Sequence, residues 1–178
     1  NIQGSPALPL RYWSQDESRV GLKTITRRIL TALGIKPIGP VQWIFQSFYL
    51  YGAVEPLTGD SFFLEFSHLD ADCFQIFLDQ FSQAHPHNLN VIQLDNGRFH
   101  FAKKLQLPEN VVLLFQPPYS PDINPIERVW QFIKDQLRWL NLKNLDELRR
   151  KVDEVIQSIT PNQIASLTSS DFILTPLK

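Results

Sequence analysis

The sequence predicts an α/β domain with a mixed five-stranded sheet and helices packed against it. Three observations lead there. Aromatic and β-branched runs separated by turn signals come first, and the apolar period changes to that of a helix near residue 70. Beyond that point apolar strands alternate with helical segments, an order that hairpin-linked strands followed by βα units produce. The chain has 178 residues, 43% of them apolar and 20% charged, which suits one domain with a real core.

Taken in order, residues 1–10 read as a loose lead broken by Gly4, Pro6 and Pro9. Residues 11–16 read as a strand with Tyr12, Ser14 and Asp16 on one face. Residues 19–40 are irregular and basic, interrupted by Gly34, Pro37 and Pro40. Residues 41–54 form a second strand, residues 56–60 a turn, and residues 61–66 the partner strand. Phe74, Phe77, Leu78 and Phe81 then repeat at helical spacing, predicting a helix over 70–83 with Asp70 as N-cap. Residues 90–94 and 111–115 are strands. The Pro-rich run QPPYSPDINP leads into a helix at 125–139, with Ile126, Val129, Trp130, Ile133 and Leu137 as its apolar stripe. A further helix at 145–159 carries Leu145, Leu148, Val152, Val155, Ile156 and Ile159. The remainder, 161–178, is weakly patterned. No repeat, linker or low-complexity segment divides the chain, so residues 1–178 are read as a single domain.

One stretch has two readings. In VIQLDNGRFH, residues 91–100, an apolar run ends in Asp95-Asn96-Gly97 and a second run follows. Asn-Gly between such runs is the strongest local hairpin signal. Alternatively, the first run is a buried strand that ends by presenting Asp95.

Composition excludes several classes. A net charge of −1 argues against binding nucleic acid through bulk charge, though not against a local basic patch. The single Cys73 permits no disulfide framework, falls in an amphipathic helix, and fits a reducing compartment. No apolar run approaches the roughly 18 residues of a membrane span. His85 and His87 flank Pro86 and carry no matching ligand pair, so they read as loop.

Three carboxylates stand out, each with a bland reading. Asn124-Pro125-Ile126-Glu127 has the pattern of a capping box, with Asn at N-cap, Pro at N1 and Glu at N3. Asp95 fits a turn, and Asp16 a solvated strand end. Taken together they occupy a strand, the end of a second strand and the first turn of a helix. Reactive groups gather at such sheet ends. Converging carboxylates repel one another and need a cation; hard oxygen ligands suit Mg²⁺ or Mn²⁺. Two such ions activate an attacking water and stabilise the leaving oxygen of a phosphodiester.

The run PPYSPDINPIERVW at 117–130, continued by Lys134, resembles the signature of mariner-like transposases of bacterial insertion sequences, members of the DDE superfamily. Leu94-Asp95-Asn96 followed by His100 is similar to that family's second motif, and Asp16-Glu17-Ser18 to its first. Gly52-Ala53-Val54 and Phe74 with Phe77-Leu78 also fit. The resemblance covers roughly residues 10–140. It implies a ribonuclease-H-like fold and metal-dependent DNA cleavage and joining, with Asp16, Asp95 and Glu127 as catalytic metal ligands for two Mg²⁺ or Mn²⁺ ions. It also implies that Asp95-Asn96 is the mouth of a strand and that the chain from about 98 turns away as a short helix. Asn96, His100 and Asn124 are candidates to support the ligands, while Glu17 is read as solvated or paired on the opposite strand face. The implied partners are DNA, as element ends and a TA target, in a homodimeric complex in the bacterial cytoplasm at the nucleoid. The family's N-terminal helix-turn-helix is expected to be absent here, since the first matched motif begins near residue 10. The alternatives are a simple metal-dependent nuclease of the same fold and an inactive domesticated remnant acting as a binding module.

Glu127, Gln131, Lys134 and Arg138 fall along one side of the helix at 125–139. Lys134 lies about 10 Å beyond Glu127 at about 1.5 Å per residue. Lys134 and Arg138 are therefore candidate DNA-phosphate contacts, the alternative being a solvated face that favours the helix C-terminus.

Overall fold

The computed structural model describes residues 8–23, 46–97, 100, 102, 104–117, 124–138 and 140–169. Its elements are β1 (Leu10–Gly21), β2 (Ser47–Val54), β3 (Ser61–Phe66), α1 (Ala71–Ala84), β4 (Leu89–Leu94), β5 (Val111–Phe115), α2 (Ile126–Gln136), α3 (Leu145–Ser158) and α4 (Pro161–Thr168). They form one five-stranded sheet in the order β3-β2-β1-β4-β5. β1, β2 and β3 pair antiparallel; β4 pairs parallel with β1 on one edge and with β5 on the other. The expected mixed sheet is therefore present, and β1 sits at its centre.

Strand alternation sends side chains to two separate cores. On one face Trp13, Tyr51, Ala53, Ile92, Leu94 and Val111 pack against Phe74, Phe77, Leu78 and Phe81 of α1. On the other, Val20, Phe48, Leu50 and Val54 pack against Ile126, Val129, Trp130 and Ile133 of α2 and against α3 and α4. The apolar stripes read from the sequence are the buried faces of these helices. Asp70 caps α1 by accepting from the Cys73 amide at 2.9 Å, and Asn144 caps α3 by accepting from the Glu147 amide at 2.9 Å.

Several expectations change. β1 continues through Arg19, Val20 and Gly21, which the sequence left irregular, because β2 pairs with it along its whole second half. Residues 24–40, most of the expected 41–54 strand before Ser47, and the tail from 170 lie outside the described residues. Residues 161–168 are a helix, closed by a capping box between Thr160 and Gln163 with Pro161 in its first turn. α4 seats on the β2–β3 turn: Gly59 has φ of 76°, and a Cβ there would lie 1.7 Å from the Pro161 carbonyl oxygen. The same turn is held by Arg11, whose Nη2 donates to Glu55 at 2.5 Å and Asp60 at 2.8 Å.

The hairpin reading of residues 91–101 fails for a topological reason. Both edges of β4 are already occupied, by β1 and by β5, so no strand after Gly97 can pair with it. The short helix expected from about 98 falls mostly on residues outside those described.

Candidate active site

The register places the carboxylates. In the parallel β1–β4 pair Ser14 lies opposite Gln93, so Asp16 and Asp95 are level on neighbouring strands, Asp95 one residue past the end of β4. Glu127 is in the first turn of α2, the helix packed over the same sheet face as Asp16. Asp16 is half-buried, and Trp130 Nε1 donates to its Oδ2 at 3.0 Å. Burial, then the charges of Glu17 and Glu127, push the Asp16 carboxyl from 3.8 up to about 8. Asp16 and Glu127 thus lie within electrostatic reach of each other.

Asp95 is arranged differently. Its side chain is 57% exposed; its Oδ1 accepts from the Gly97 amide at 2.8 Å and lies 3.1 Å from His100 Nδ1, whose hydrogen bond goes to the Asp95 carbonyl oxygen at 3.2 Å. Among the described residues no group of three or more His, Cys, Asp or Glu side chains is close enough to hold a metal ion. The structure therefore places Asp16 within electrostatic reach of Glu127 and level in register with Asp95, whose carboxylate is engaged by its own loop.

The supporting residues have defined tasks. The Asn96 amide donates to the Gln116 carbonyl at 2.8 Å, tying the mouth of β4 to that of β5. Asn124 does not form the expected side-chain cap: α2 has Pro125 at its N-cap position without a side-chain hydrogen bond. Its amide instead donates to the Gln15 carbonyl at 2.8 Å, fastening the start of α2 to β1 beside Asp16. The buried Trp130, read from sequence as core, is also the hydrogen-bond donor to Asp16. Its room comes from Gly52, opposite Asp16 in the β1–β2 register, where a Cβ would lie 2.5 Å from the Trp130 ring. Glu17 is paired, with a side chain only 6% exposed and held by His100 and Gln15. α2 ends at Gln136, so Arg138 lies in the turn beyond it rather than on the expected helix face, and it pairs with Asp135; Lys134, in the last turn of α2, is the remaining candidate on the helix itself.

Further polar groups surround the carboxylates. Among the described residues, Gln93 Nε2, Gln116 Nε2 and Asn124 Oδ1 are buried without a hydrogen-bond partner. Ser14 and Gln93 form the row beneath Asp16 and Asp95. A surface cleft of about 490 Å³ between α1 and residues 104–108 contains none of the three carboxylates.

By their chemistry, though not by a gathered cluster among the described residues, the three carboxylates are donors of the kind that suit a divalent cation. Asp16 is crowded by carboxylates and burial, and only N–H donors oppose them. A carboxyl such as Asp16, which holds its proton for want of a counter-charge, is a hard oxygen donor suited to Mg²⁺ or Mn²⁺.

The order and direction of the five strands, with helices on both faces, are those of a ribonuclease-H-like fold. A family model described as DDE superfamily endonuclease matches residues 11–149, and the chain belongs to that superfamily. The chain is 35% identical over 104 residues, 56% of its length and 76% of the relative's, to the uncharacterized protein y4pE/y4sA of Sinorhizobium fredii (strain NBRC 101917 / NGR234). It is 30% identical over 83 residues to the transposable element Tcb2 transposase of Caenorhabditis briggsae, covering 45% of this chain and 30% of that one. Its fold matches the Mos1 transposase in a pre-cleavage transpososome, with TM-score 0.72, 13% identity, and coverage of 89% of this chain and 52% of that one. A Mos1 mariner paired-end complex with Mn matches with TM-score 0.69, 14% identity, and coverage of 89% and 51%. The chain spans about half the length of these solved transposases.

Proposed function

We propose that this chain is the catalytic domain of a mariner-like DNA transposase that uses Asp16, Asp95 and Glu127 to hold divalent metal at a scissile phosphodiester. The observation that carries the reading is Asp16 itself: a carboxyl at the centre of the sheet, pushed up to about 8 by burial and by neighbouring carboxylates. Nothing in packing requires such a group, whereas a cation site does. Family membership and the fold shared with Mos1 support it.

The residues divide the work. Asp16 and Asp95 present oxygens from adjacent strand mouths, and Glu127 closes the set from α2. Trp130 orients Asp16, Asn124 fixes α2 against β1, and Asn96 fixes the β4 mouth. A divalent pair, when bound, lowers the pKa of an attacking water or hydroxyl and neutralises charge on the phosphate oxygens. The reaction is hydrolysis at the element end, after which the freed 3′-hydroxyl attacks target DNA, which the sequence resemblance gives as TA. Lys134, farther along α2, is the candidate contact to a flanking phosphate. The homodimer implied by that resemblance belongs to this reading.

The test is DNA nicking and strand transfer in Mn²⁺ or Mg²⁺, using a pre-cut oligonucleotide with a free 3′-hydroxyl. The wild-type chain is expected to nick weakly with little sequence preference, and Asp95→Asn to abolish both reactions. Cleavage at full rate in Asp95→Asn, or in chelator, refutes the mechanism. Nicking without any strand transfer assigns a simple nuclease instead.

A further inference from the structure

Glu17 is a buried carboxylate that faces away from Asp16, against the α1 core, and the chemistry proposed above gives it no task. Its partner answers why it is there. His100 is 1% exposed, packed 4.5 Å from the Phe74 ring, and its two nitrogens face two carboxylates. Nε2 lies 3.3 Å from Glu17 Oε1, which also accepts from Gln15 Nε2 at 2.7 Å. Nδ1 lies 3.1 Å from Asp95 Oδ1 and 3.2 Å from the Asp95 carbonyl oxygen. The chain Gln15–Glu17–His100–Asp95 therefore runs from the middle of β1 around the end of β4.

We infer that His100, anchored by Glu17, is the positioning residue for Asp95. The inference rests on Asp95 being a metal ligand. Asp95 Oδ1 accepts from Gly97 N–H, and His100 Nδ1 stands over the same residue, 3.1 Å from Oδ1 and hydrogen-bonded to its carbonyl oxygen at 3.2 Å. Oδ2 is then the oxygen assigned to a cation, with the carboxylate, although 57% exposed, held on its Oδ1 side. Groups that hydrogen-bond a ligand in this way typically contribute about 10–100-fold to metal affinity or activity. The arrangement also explains the consecutive Asp16-Glu17. Strand alternation sends the first to the metal face and the second to the opposite face, so one strand sets one ligand directly and another through an imidazole.

Substitutions at His100 separate positioning from packing, because Asn and Gln both remove the ring. Asn carries a nitrogen near the place of Nδ1, toward Asp95; Gln carries one near the place of Nε2, toward Glu17. Mn²⁺ binding to the full chain, read from free Mn²⁺ by electron paramagnetic resonance, is expected to weaken about tenfold or more in His100→Gln and His100→Ala. His100→Asn is expected to stay within about threefold of wild type, and Glu17→Ala to fall between. A thermal melt of each variant checks folding. Equal losses in His100→Asn and His100→Gln, or no loss in either, overturn the inference. The Asp95→Asn control distinguishes the two levels. If it abolishes binding while His100→Gln does not weaken it, only the positioning role fails; if it binds as wild type does, the metal reading fails and the positioning role with it. A second readout needs no His100 variant to fold. The His100 Nδ1 proton resonance of the wild-type chain is expected to shift on adding Mg²⁺ and to stay fixed in Asp95→Asn; an unmoved resonance in wild type overturns the inference.

Discussion

Replacing Asp16 with asparagine should make the metal-free domain more stable, and increasingly so as pH rises. In the unfolded chain the Asp16 carboxyl ionises near its ordinary 3.8; in the fold, burial and the charges of Glu17 and Glu127 hold the proton until about pH 8. Between those values the folded state binds the proton and the unfolded state has released it. Wild-type stability therefore falls with rising pH, by at most about 1.4 kcal/mol per pH unit, and levels off once both states are ionised. Across the window the ceiling is about 6 kcal/mol. Glu127 is exposed, so solvent screens part of its repulsion, and about 2–4 kcal/mol at pH 8 is the working expectation. Asparagine removes the charge but keeps an oxygen to accept from Trp130 Nε1. Urea melts of wild type and Asp16→Asn in chelator, at pH 5, 6.5 and 8, should show a gap that opens with pH. Saturating Mg²⁺ should raise the stability of wild type at pH 8 and leave Asp16→Asn almost unchanged. Melts that run parallel from pH 5 to 8 would refute the assignment of Asp16 as the strained, cation-seeking group.

Two other substitutions probe the surroundings. Gly52→Ala places a Cβ against the Trp130 and Phe63 rings; it should destabilise the domain by about 1–3 kcal/mol in a urea melt and reduce Mn²⁺-dependent nicking by displacing the donor to Asp16. Lys134→Ala should weaken DNA binding evenly across sequences and lower the slope of log affinity against log salt by roughly 0.9, whereas Arg138→Ala, already paired with Asp135, should change it less; fluorescence anisotropy at graded salt reads both.

Much of the fold could be read from hydrophobic period, because both cores are made of the predicted stripes. The bounds of β3 and β5 coincide with those expected, and Asp70 caps α1 as its residue type predicts. What escaped was set by distant partners or by a weak stripe. Asn124 has the spacing of a cap, yet its amide goes to the Gln15 carbonyl, an acceptor that only the folded β1 supplies. The end of Asp95's strand looked locally like a hairpin because nothing local shows that β1 and β5 fill both edges of β4. α4 has only Ile164 and Thr168 buried, too few for a clear period, although Thr160-Pro161-Asn162-Gln163 carried its capping signal in plain sight. Of the site, Asp16, Asp95 and Glu127 came from motif resemblance; the β1–β4 register sets the first two level on neighbouring strands. The Glu17–His100 link spans 83 residues and leaves no trace in any periodic pattern.

The central position of β1 governs when a growing chain could acquire activity. Its antiparallel partner, β2, emerges soon after it during synthesis, but its parallel partner β4 arrives only after β3 and α1, and Glu127 later still. Until then Asp16 lies beside an open sheet edge, with neither Asp95 nor Glu127 available. A nascent or truncated chain thus lacks the complete set of three carboxylates, and on the proposed mechanism competence to cut DNA would be confined to molecules whose sheet has closed around its middle strand.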